Sequence, residues 1–250
     1  MLCIIPCMNS SRGAVESTSS TVRRRPEGPH AGVVGAVSTG LFIASLAVVA
    51  ILGGGQALSS SFVDGYSDFL AHHGLAARAS AMLQLGSSVP LGIYAAIMYA
   101  RLRRLGIRVP GPAIALYGGV TASVMLAGSA LVAWTAGQSA VAAQPNLVHA
   151  LRILAFASGG VAHLLGLGLL VAGIAVPALV LRLLPAQLSW AGLVIAAVCE
   201  FSVLAMVVEP LQVLVPIGRF TSLAWIIAAG FLIPPTRRTH HRRTRQKENS

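Results

Sequence analysis

Four ionisable side chains lie inside long apolar stretches of the sequence, and their types could support chemistry there: Arg152, His163, Glu200 and Arg219. A charged group at the centre of a bilayer costs about 2.5–3.5 kcal/mol on insertion scales, so such groups are usually paired, hydrogen-bonded or functional. A carboxylate and a guanidinium at one depth could form an ion pair, or could bind a proton or an ion during transport. Which of these applies depends on where the surrounding helices place the four residues.

Glu200 and Arg219 are predicted to lie at a similar depth. Pro210, in the turn between the last two apolar stretches, follows Glu200 by ten residues and precedes Arg219 by nine. At 1.5 Å per residue, both residues lie about 14–15 Å from that turn, on neighbouring antiparallel helices. Gly192 and Ala196 share a helical face with Glu200, which favours close helix approach. Three hypotheses follow: an ion pair that holds the helices in register, a site for a proton or an ion, or two side chains that do not meet.

Arg152 and His163 lie on the fourth apolar stretch. Arg152 is near its start, so the side chain can extend toward the headgroups, with Glu209 as a candidate partner. His163 is near the middle, beside Ser158-Gly159-Gly160, and we predict that it is neutral and hydrogen-bonded to a neighbouring helix. Haem ligation would need a second histidine, and His149 is fourteen residues away, about 21 Å along a helix. We therefore predict no cofactor.

Two adjacent histidines, His72 and His73, lie between the first two apolar stretches, near Asp64 and Asp68. Their spacing matches no standard metal site, so we predict no metal. The alternative is a short interfacial helix, whose aromatic stripe at i, i+4 and i+7 consists of Phe62, Tyr66 and Phe69. The chain also contains no hydrolase, metalloprotease, phosphate-loop or dinucleotide fingerprint. The sequence therefore favours a protein that is not an enzyme.

The amino-acid composition of the chain indicates what kind of protein positions these four residues. Of the 250 residues, 55% are hydrophobic and only 10% are charged, against about 25% charged in a typical soluble domain; the mean hydropathy is +0.76. This composition excludes a disordered protein and an ordinary soluble enzyme. The three cysteines, Cys3, Cys7 and Cys199, make no disulfide framework. Cys199 is predicted to be a small buried apolar side chain.

Six stretches are long enough for helices that cross a bilayer, which takes roughly 20 apolar residues each. They cover about 32–54, 79–100, 113–136, 147–176, 188–208 and 211–233, and Pro177 is expected to end the fourth. Because a spanning segment must satisfy its own backbone hydrogen bonds, helices are predicted rather than open strands. The fold class is therefore all-α, a polytopic transmembrane bundle of six spans over residues 32–235.

The basic residues predict the orientation of the bundle. The net charge is +11, and nearly all arginines outside the spans lie in the two tails and in the loops on the same side. Positively charged loops stay in the cytoplasm, so both termini are predicted to be cytoplasmic, with the first helix acting as an uncleaved signal-anchor. Residues 1–31 are predicted to be a disordered basic tail, and 236–250 a second basic tail.

The C-terminal tail carries a cluster of basic residues next to the last span. Such clusters bind anionic lipid headgroups, and the predicted headgroup-binding residues are Arg237, Arg238, Arg242 and Arg243. No aromatic residue is interleaved with these arginines for base stacking, so nucleic acid is not an expected partner. The lipid bilayer is the expected partner. The small-residue faces permit a homo-oligomer, and no protein partner is indicated.

Several short motifs are shared with a known group of membrane proteins. They are Ser88-Val89-Pro90-Leu91-Gly92-Ile93, Arg101-Leu102, Leu183-Leu184-Pro185, Gly218-Arg219-Phe220, Trp225 and Gly230-Phe231-Leu232. With these motifs, positions 32–235 resemble bacterial six-helix membrane proteins grouped as a domain of unknown function. The resemblance implies a multi-pass protein of the bacterial inner membrane with no established activity.

Three functional hypotheses remain open. The first is a non-enzymatic membrane protein with a structural, regulatory or scaffolding role. The second is a small transporter or permease that uses Glu200, Arg219 and His163, and the third is an intramembrane enzyme or haem protein. A transporter predicts a polar cavity that reaches Glu200, whereas a structural role predicts a sealed core with Glu200 against Arg219.

Overall fold

The computed structural model describes residues 29–52 and 66–234, and this part of the chain is helical with no strand. Its elements, in chain order, are α1 (Ala31–Leu52), α2 (Tyr66–Arg104), α3 (Gly111–Ala136), α4 (Ser139–Ala142), α5 (Pro145–Phe156), a π-helix (Ala157–Ala162), α6 (His163–Val180), α7 (Ala186–Phe201), two 3₁₀ helices (Ser202–Met206 and Glu209–Val213) and α8 (Leu214–Leu232). The predicted all-α class is confirmed.

Six helical stretches of the described residues are long and apolar enough to cross a membrane. They are Ala31–Leu52, His72–Arg104, Gly111–Ala136, Pro145–Val180, Ala186–Met206 and Glu209–Leu232. The predicted count is confirmed, and the chain is a multi-pass helical membrane protein. The second span is longer than predicted at both ends. Residues 72–78 and 101–104, which include histidines and arginines, continue the helix.

Consecutive spans pack against each other, and the last span packs against the first as well as the fifth. The first and last described segments meet at one end of the bundle, where the rings of His30 and Phe231 lie 5.1 Å apart. We call this the terminal end; it also carries the connections at 104–111 and 180–186. The opposite end, with the connections at 136–145 and 206–209, is called the corner end.

The fourth span does not stop at Pro177, so that prediction was wrong. The helix continues to Val180. A proline inside a helix removes one backbone bond and crowds the carbonyl four residues earlier, here that of Gly173. A Cβ on Gly111 of α3 would lie 3.1 Å from the Gly173 oxygen and 3.2 Å from the Pro177 ring. Because Gly111 has no side chain, α3 can cover the interrupted turn, and the helix tolerates the proline.

The crossing of α3 with α6 is closed by glycines. A Cβ on Gly118 would lie 2.5 Å from the backbone nitrogen of Leu170, and a Cβ on Gly166 would lie 2.5 Å from that of Ala122. In membranes, small residues at a crossing let two backbones approach closely. The two spans are therefore held at a distance that no larger residue permits.

Serines join the first three spans. Ser38 and Ser87 are both buried, and each hydroxyl donates to the other residue's backbone carbonyl at 2.8 Å. The hydroxyl of Ser123 in α3 donates to the carbonyl of Ser88 at 2.7 Å. These bonds satisfy hydroxyls that would otherwise be unpaired in hydrocarbon, and they hold α1, α2 and α3 in register.

Tyr94 joins the second span to the last. Its side chain is fully buried, and its hydroxyl donates to the carbonyl of Ile226 at 2.7 Å. One such bond contributes about 1 kcal/mol net, so Tyr94→Phe should lower the free energy of unfolding by about that amount in an SDS titration. Tyr117→Phe is the control, because Tyr117 is 66% exposed on α3 and should unfold like the parent. Equal losses in the two variants would contradict a role for the Tyr94 hydroxyl.

The segment before the second span, for which a short interfacial helix was predicted, is helical, packs against the bundle and is set off from the span by a kink. The rings of Tyr66 and Phe69 stack 6.4 Å apart in the first turns of α2, and Phe69 is buried with Leu70 and Val148. The backbone leaves helical geometry at His73 (φ −123°, ψ 31°), where α2 bends. Phe62 and Asp64 lie outside the described residues, as does the side chain of Asp68.

Candidate functional site

The fourth span is interrupted near its middle by the π-helix Ala157–Ala162. Two consecutive glycines, Gly159 and Gly160, weaken the ordinary helix there. The N–H of His163 is shared between the carbonyls of Gly160 and of Ser158, five residues earlier, and does not donate to that of Gly159. A π-helix within an α-helix is uncommon and is frequently found at functional sites. Three polar side chains of the bundle interior, those of Ser129, His163 and Arg219, lie at or beside this segment.

Arg219 joins three spans at the π-helix. Its Nη2 donates to the carbonyl of Gly159, and its guanidinium lies over the ring of Phe42 in α1, 5.2 Å from the ring centroid. The Nε of Arg219 is buried without a hydrogen-bond partner. Arg219 is therefore a cation inside the bundle whose hydrogen bonds are only partly satisfied.

His163 immediately follows the π-helix and is 1% exposed. Its Nδ1 lies 2.8 Å from the backbone carbonyl of Ala122 in α3. A carbonyl can only accept, so Nδ1 carries the proton in this contact. The predicted hydrogen bond to a neighbouring helix is confirmed. The Arg219 cation lies close enough to His163 that a positive charge on the imidazole ring would be repelled.

A further hydroxyl supports the same segment from α3. Ser129 donates to the carbonyl of Ala155, just before the π-helix, at 2.9 Å. Its side chain also contacts Gly159 so closely that a Cβ there would not fit. We call Phe42, Ser129, Gly159, His163 and Arg219 the central cluster.

Glu200 does not belong to the central cluster, and the predicted ion pair with Arg219 is absent from the described part of the chain. Glu200 is exposed on the outside of α7, and its Oε1 would lie 2.8 Å from a Cβ on Gly168 of α6. The residue just before it, Cys199, is the one that faces α8. The predicted pair was therefore wrong, because the Glu200 side chain does not point toward α8.

The depth estimate behind that prediction was nevertheless sound. The Sγ of Cys199 lies 3.2 Å from the Oγ of Ser222 and 3.2 Å from a Cβ position on Gly218. Glu200 and Arg219 each follow a contact residue by one position, which turns each side chain by about 100° around its helix. The prediction that Cys199 is buried is confirmed, since it is 0% exposed.

Arg152 lies nearer the corner end, away from the central cluster. It is half-buried, and its guanidinium lies 5.2 Å from the centroid of the Tyr66 ring. Burial raises the pKa of Tyr66, and the Arg152 cation opposes that rise. Arg152 and its predicted partner Glu209 line the same cleft.

Arg101 has a structural role that the charge pattern of the sequence did not indicate. Its position among basic residues suggested a solvated turn, yet it is 7% exposed. Its Nη1 donates to the carbonyls of Gly230 at 3.0 Å and Ile233 at 2.9 Å. These carbonyls belong to the end of α8, where a helix has unpaired acceptors and a partial negative charge.

The spacing of the sequence contains a signal for the burial of Arg101. Leu91, Tyr94 and Met98 are each at most 1% exposed, and Arg101 continues this row at the next helical position on the same face. An arginine that extends a buried apolar row is expected to face the bundle.

At least three clefts open on the described part of the chain, and these three are not lined by His163, Glu200 or Arg219. Within residues 29–52 and 66–234, no three His, Cys, Asp or Glu side chains come together as a metal site. The predicted headgroup residues Arg237, Arg238, Arg242 and Arg243 lie outside the described residues, as do Cys3 and Cys7.

Comparison of the chain with protein-family models, with curated proteins and with solved structures found no match.

Proposed function

We propose that this multi-pass membrane protein is not an enzyme and that its role is structural, regulatory or scaffolding. One observation carries the proposal: four of the large polar side chains inside the bundle bond to backbone carbonyls of other spans. Tyr94 and Arg101 bond to α8, His163 to α3, and Arg219 to the π-helix. Such bonds fix how the helices pack, and in these four side chains the polar groups that bond to carbonyls serve packing rather than a reaction.

The location proposed for the protein is a bacterial inner membrane, with the terminal end in the cytoplasm. The resemblance to bacterial six-helix proteins supports the first part. The second is supported by the exposed basic residues at the terminal end, which are Arg103, Arg104, Arg108 and Arg182. In this orientation Arg237, Arg238, Arg242 and Arg243 would face the anionic lipids of the inner leaflet.

A small transporter is the second candidate, and a different observation favours it. Arg219 is a cation with a buried, unpartnered Nε, and within the described residues no carboxylate pairs with it. An anion could supply the missing acceptor, with the π-helix as the segment that moves. Arg219 does not line any of these three clefts, so transport through one of them would require the bundle to open.

Replacing Arg219 with methionine separates the two candidates. The loss of a charged hydrogen bond, about 1.5–3 kcal/mol, and of the contact with Phe42, about 0.5–2 kcal/mol, is offset by about 2.5–3.5 kcal/mol of avoided charge burial. For a structural role we expect the stability of Arg219→Met to stay within about 2 kcal/mol of the parent. We also expect hydrogen exchange at the amides of 157–163 to become at least about tenfold faster, since the π-helix loses its partner.

The transport arm uses the same variant in proteoliposomes loaded with proton- and chloride-sensitive dyes. A structural protein should give no flux above that of protein-free vesicles, with or without Arg219. Thr221→Ala is the matched control, because the exposed Thr221 hydroxyl bonds only within its own helix, at 2.7 Å from the carbonyl of Ile217. Flux in the parent and in Thr221→Ala that disappears in Arg219→Met would replace the structural proposal with the transporter.

A further inference from the structure

A cleft of about 580 Å³ opens at the corner end of the bundle, between α5 and the connection from the fifth span to the sixth. We call it the corner cleft. Its polar lining residues are His149, Arg152, Glu209 and Gln212, and its walls include Phe156 and Met206. It is separate from the central cluster, and its volume is within the usual range for pockets that bind small ligands, roughly 300–1,000 Å³.

The irregular connection between the last two spans leaves room for this cleft. α7 ends at Phe201, and two 3₁₀ helices separated by an extended residue, Val208, replace a tight helical hairpin. Ala205 is buried and anchors the connection, while Glu209 begins the second 3₁₀ helix. The connection therefore holds a carboxylate beside α5 without filling the space between them.

The length of the fourth span places the cleft at the membrane surface. Pro145–Val180 has 36 residues, which is about 54 Å at 1.5 Å per residue, whereas the hydrocarbon core is about 30 Å thick. If the excess is shared equally, about eight residues at each end lie in the headgroup region. Arg152 is the eighth residue of this span, so it lies at the boundary between headgroups and hydrocarbon.

The lining of the cleft matches a ligand that carries both charges and an apolar tail. Arg152 supplies a guanidinium, whose face lies on the Tyr66 ring and whose five N–H donors lie in its plane, suited to phosphate oxygens. Glu209 supplies an acceptor for a cation on the other side of the cleft. Ile153, Phe156 and Val207 continue the lining as apolar walls.

We propose that the corner cleft binds a bilayer phospholipid whose headgroup carries a phosphate and a primary ammonium, as in an ethanolamine phospholipid. The phosphate binds Arg152 beside His149, the ammonium donates to the Glu209 carboxylate, and the acyl chains run along the apolar wall. A quaternary ammonium has no N–H to donate, so a choline headgroup cannot hydrogen-bond to Glu209 and keeps only charge attraction to it. A headgroup without a cation, such as glycerol, gains nothing from Glu209.

The test titrates the purified full-length protein with three phospholipids of identical acyl chains and counts bound lipids by native mass spectrometry. We expect the ethanolamine lipid to bind about tenfold more tightly than the choline and glycerol lipids. Glu209→Gln should remove most of that preference and weaken the choline lipid less than the ethanolamine lipid, since the exposed Glu209 can be replaced without disturbing the fold. Arg152→Gln should weaken all three lipids.

Arg78→Gln is the matched control, because Arg78 lies near the same end but lines two other clefts; it should bind all three lipids as the parent does. Equal binding of the three lipids by the parent would overturn the proposal. So would an unchanged preference in Glu209→Gln, or tightest binding of the glycerol lipid, which would indicate an anion site alone.

Discussion

Replacing Arg101 with methionine is expected to lower the free energy of unfolding by about 3–5 kcal/mol. Methionine keeps much of the buried apolar length but donates no hydrogen bond, so the carbonyls of Gly230 and Ile233 lose the guanidinium that they share. A hydrogen bond to a charged group contributes about 1.5–3 kcal/mol, and an unsatisfied buried acceptor costs about 1–3 kcal/mol. The variant should unfold at lower SDS fraction and lower temperature than the parent.

The matched control for Arg101 lies two residues further along the same turn. Arg103 is exposed at the end of α2, and substitutions at such positions usually change stability by no more than about 0.5 kcal/mol. Arg103→Met removes the same charge from the same end of the bundle, so it separates the buried bonds from the overall charge. Similar losses in the two variants would mean that Arg101 contributes only as one of many positive charges.

Gly118→Ala is expected to be the second strongly destabilising change, by about 2–3 kcal/mol. The new Cβ would lie 2.5 Å from the backbone nitrogen of Leu170 and 2.7 Å from the carbonyl oxygen of Gly166. Both atoms belong to the backbone of α6, so no side-chain rotation relieves the contact, and overpacking of this kind typically costs about 1–3 kcal/mol. The measurement is the SDS or thermal unfolding midpoint of the purified variant.

Gly128→Ala, in the same helix, is not expected to lower the stability of the protein. A Cβ on Gly128 meets no atom within 4 Å, and alanine is favoured over glycine in a helix interior by about 0.5–1 kcal/mol. This variant should therefore be as stable as the parent or slightly more stable. If both alanine variants gained stability, the backbones of α3 and α6 would be further apart than their contacts indicate.

The number of spans could be predicted because each span leaves a long apolar segment bounded by charge or proline. The ends of the spans were harder to predict. Pro177 usually indicates a helix end, but the missing side chain of Gly111 on another helix makes the proline tolerable. The π-helix could not be predicted, because Gly159-Gly160 is equally typical of a close helix crossing. In both places the decisive contact comes from a distant part of the chain.

The level of the candidate residues along their helices was predicted correctly, but the side of the helix on which each side chain lies was not. Helical rise alone placed Glu200 and Arg219 at one level, and the contact of Cys199 with Ser222 supports that level. Which side of a helix faces its neighbour depends on packing, and a one-residue error turns a side chain by about 100°. Arg101 was missed for a related reason: counting charges by loop assigns every basic residue to solvent, although its spacing continues a buried row.

The bonds from Arg101 and Tyr94 to α8 also have a consequence for how the protein is made. Tyr94 precedes its partner Ile226 by 132 residues, and Arg101 precedes Ile233 by the same number. At about 5–20 residues per second of translation, these partners in the last span are synthesised roughly 7–26 s after Tyr94 and Arg101. During that interval Arg101 lacks the two carbonyl acceptors that it has in the folded bundle. Synthesis of α8 is therefore the event that supplies these acceptors and closes the bundle.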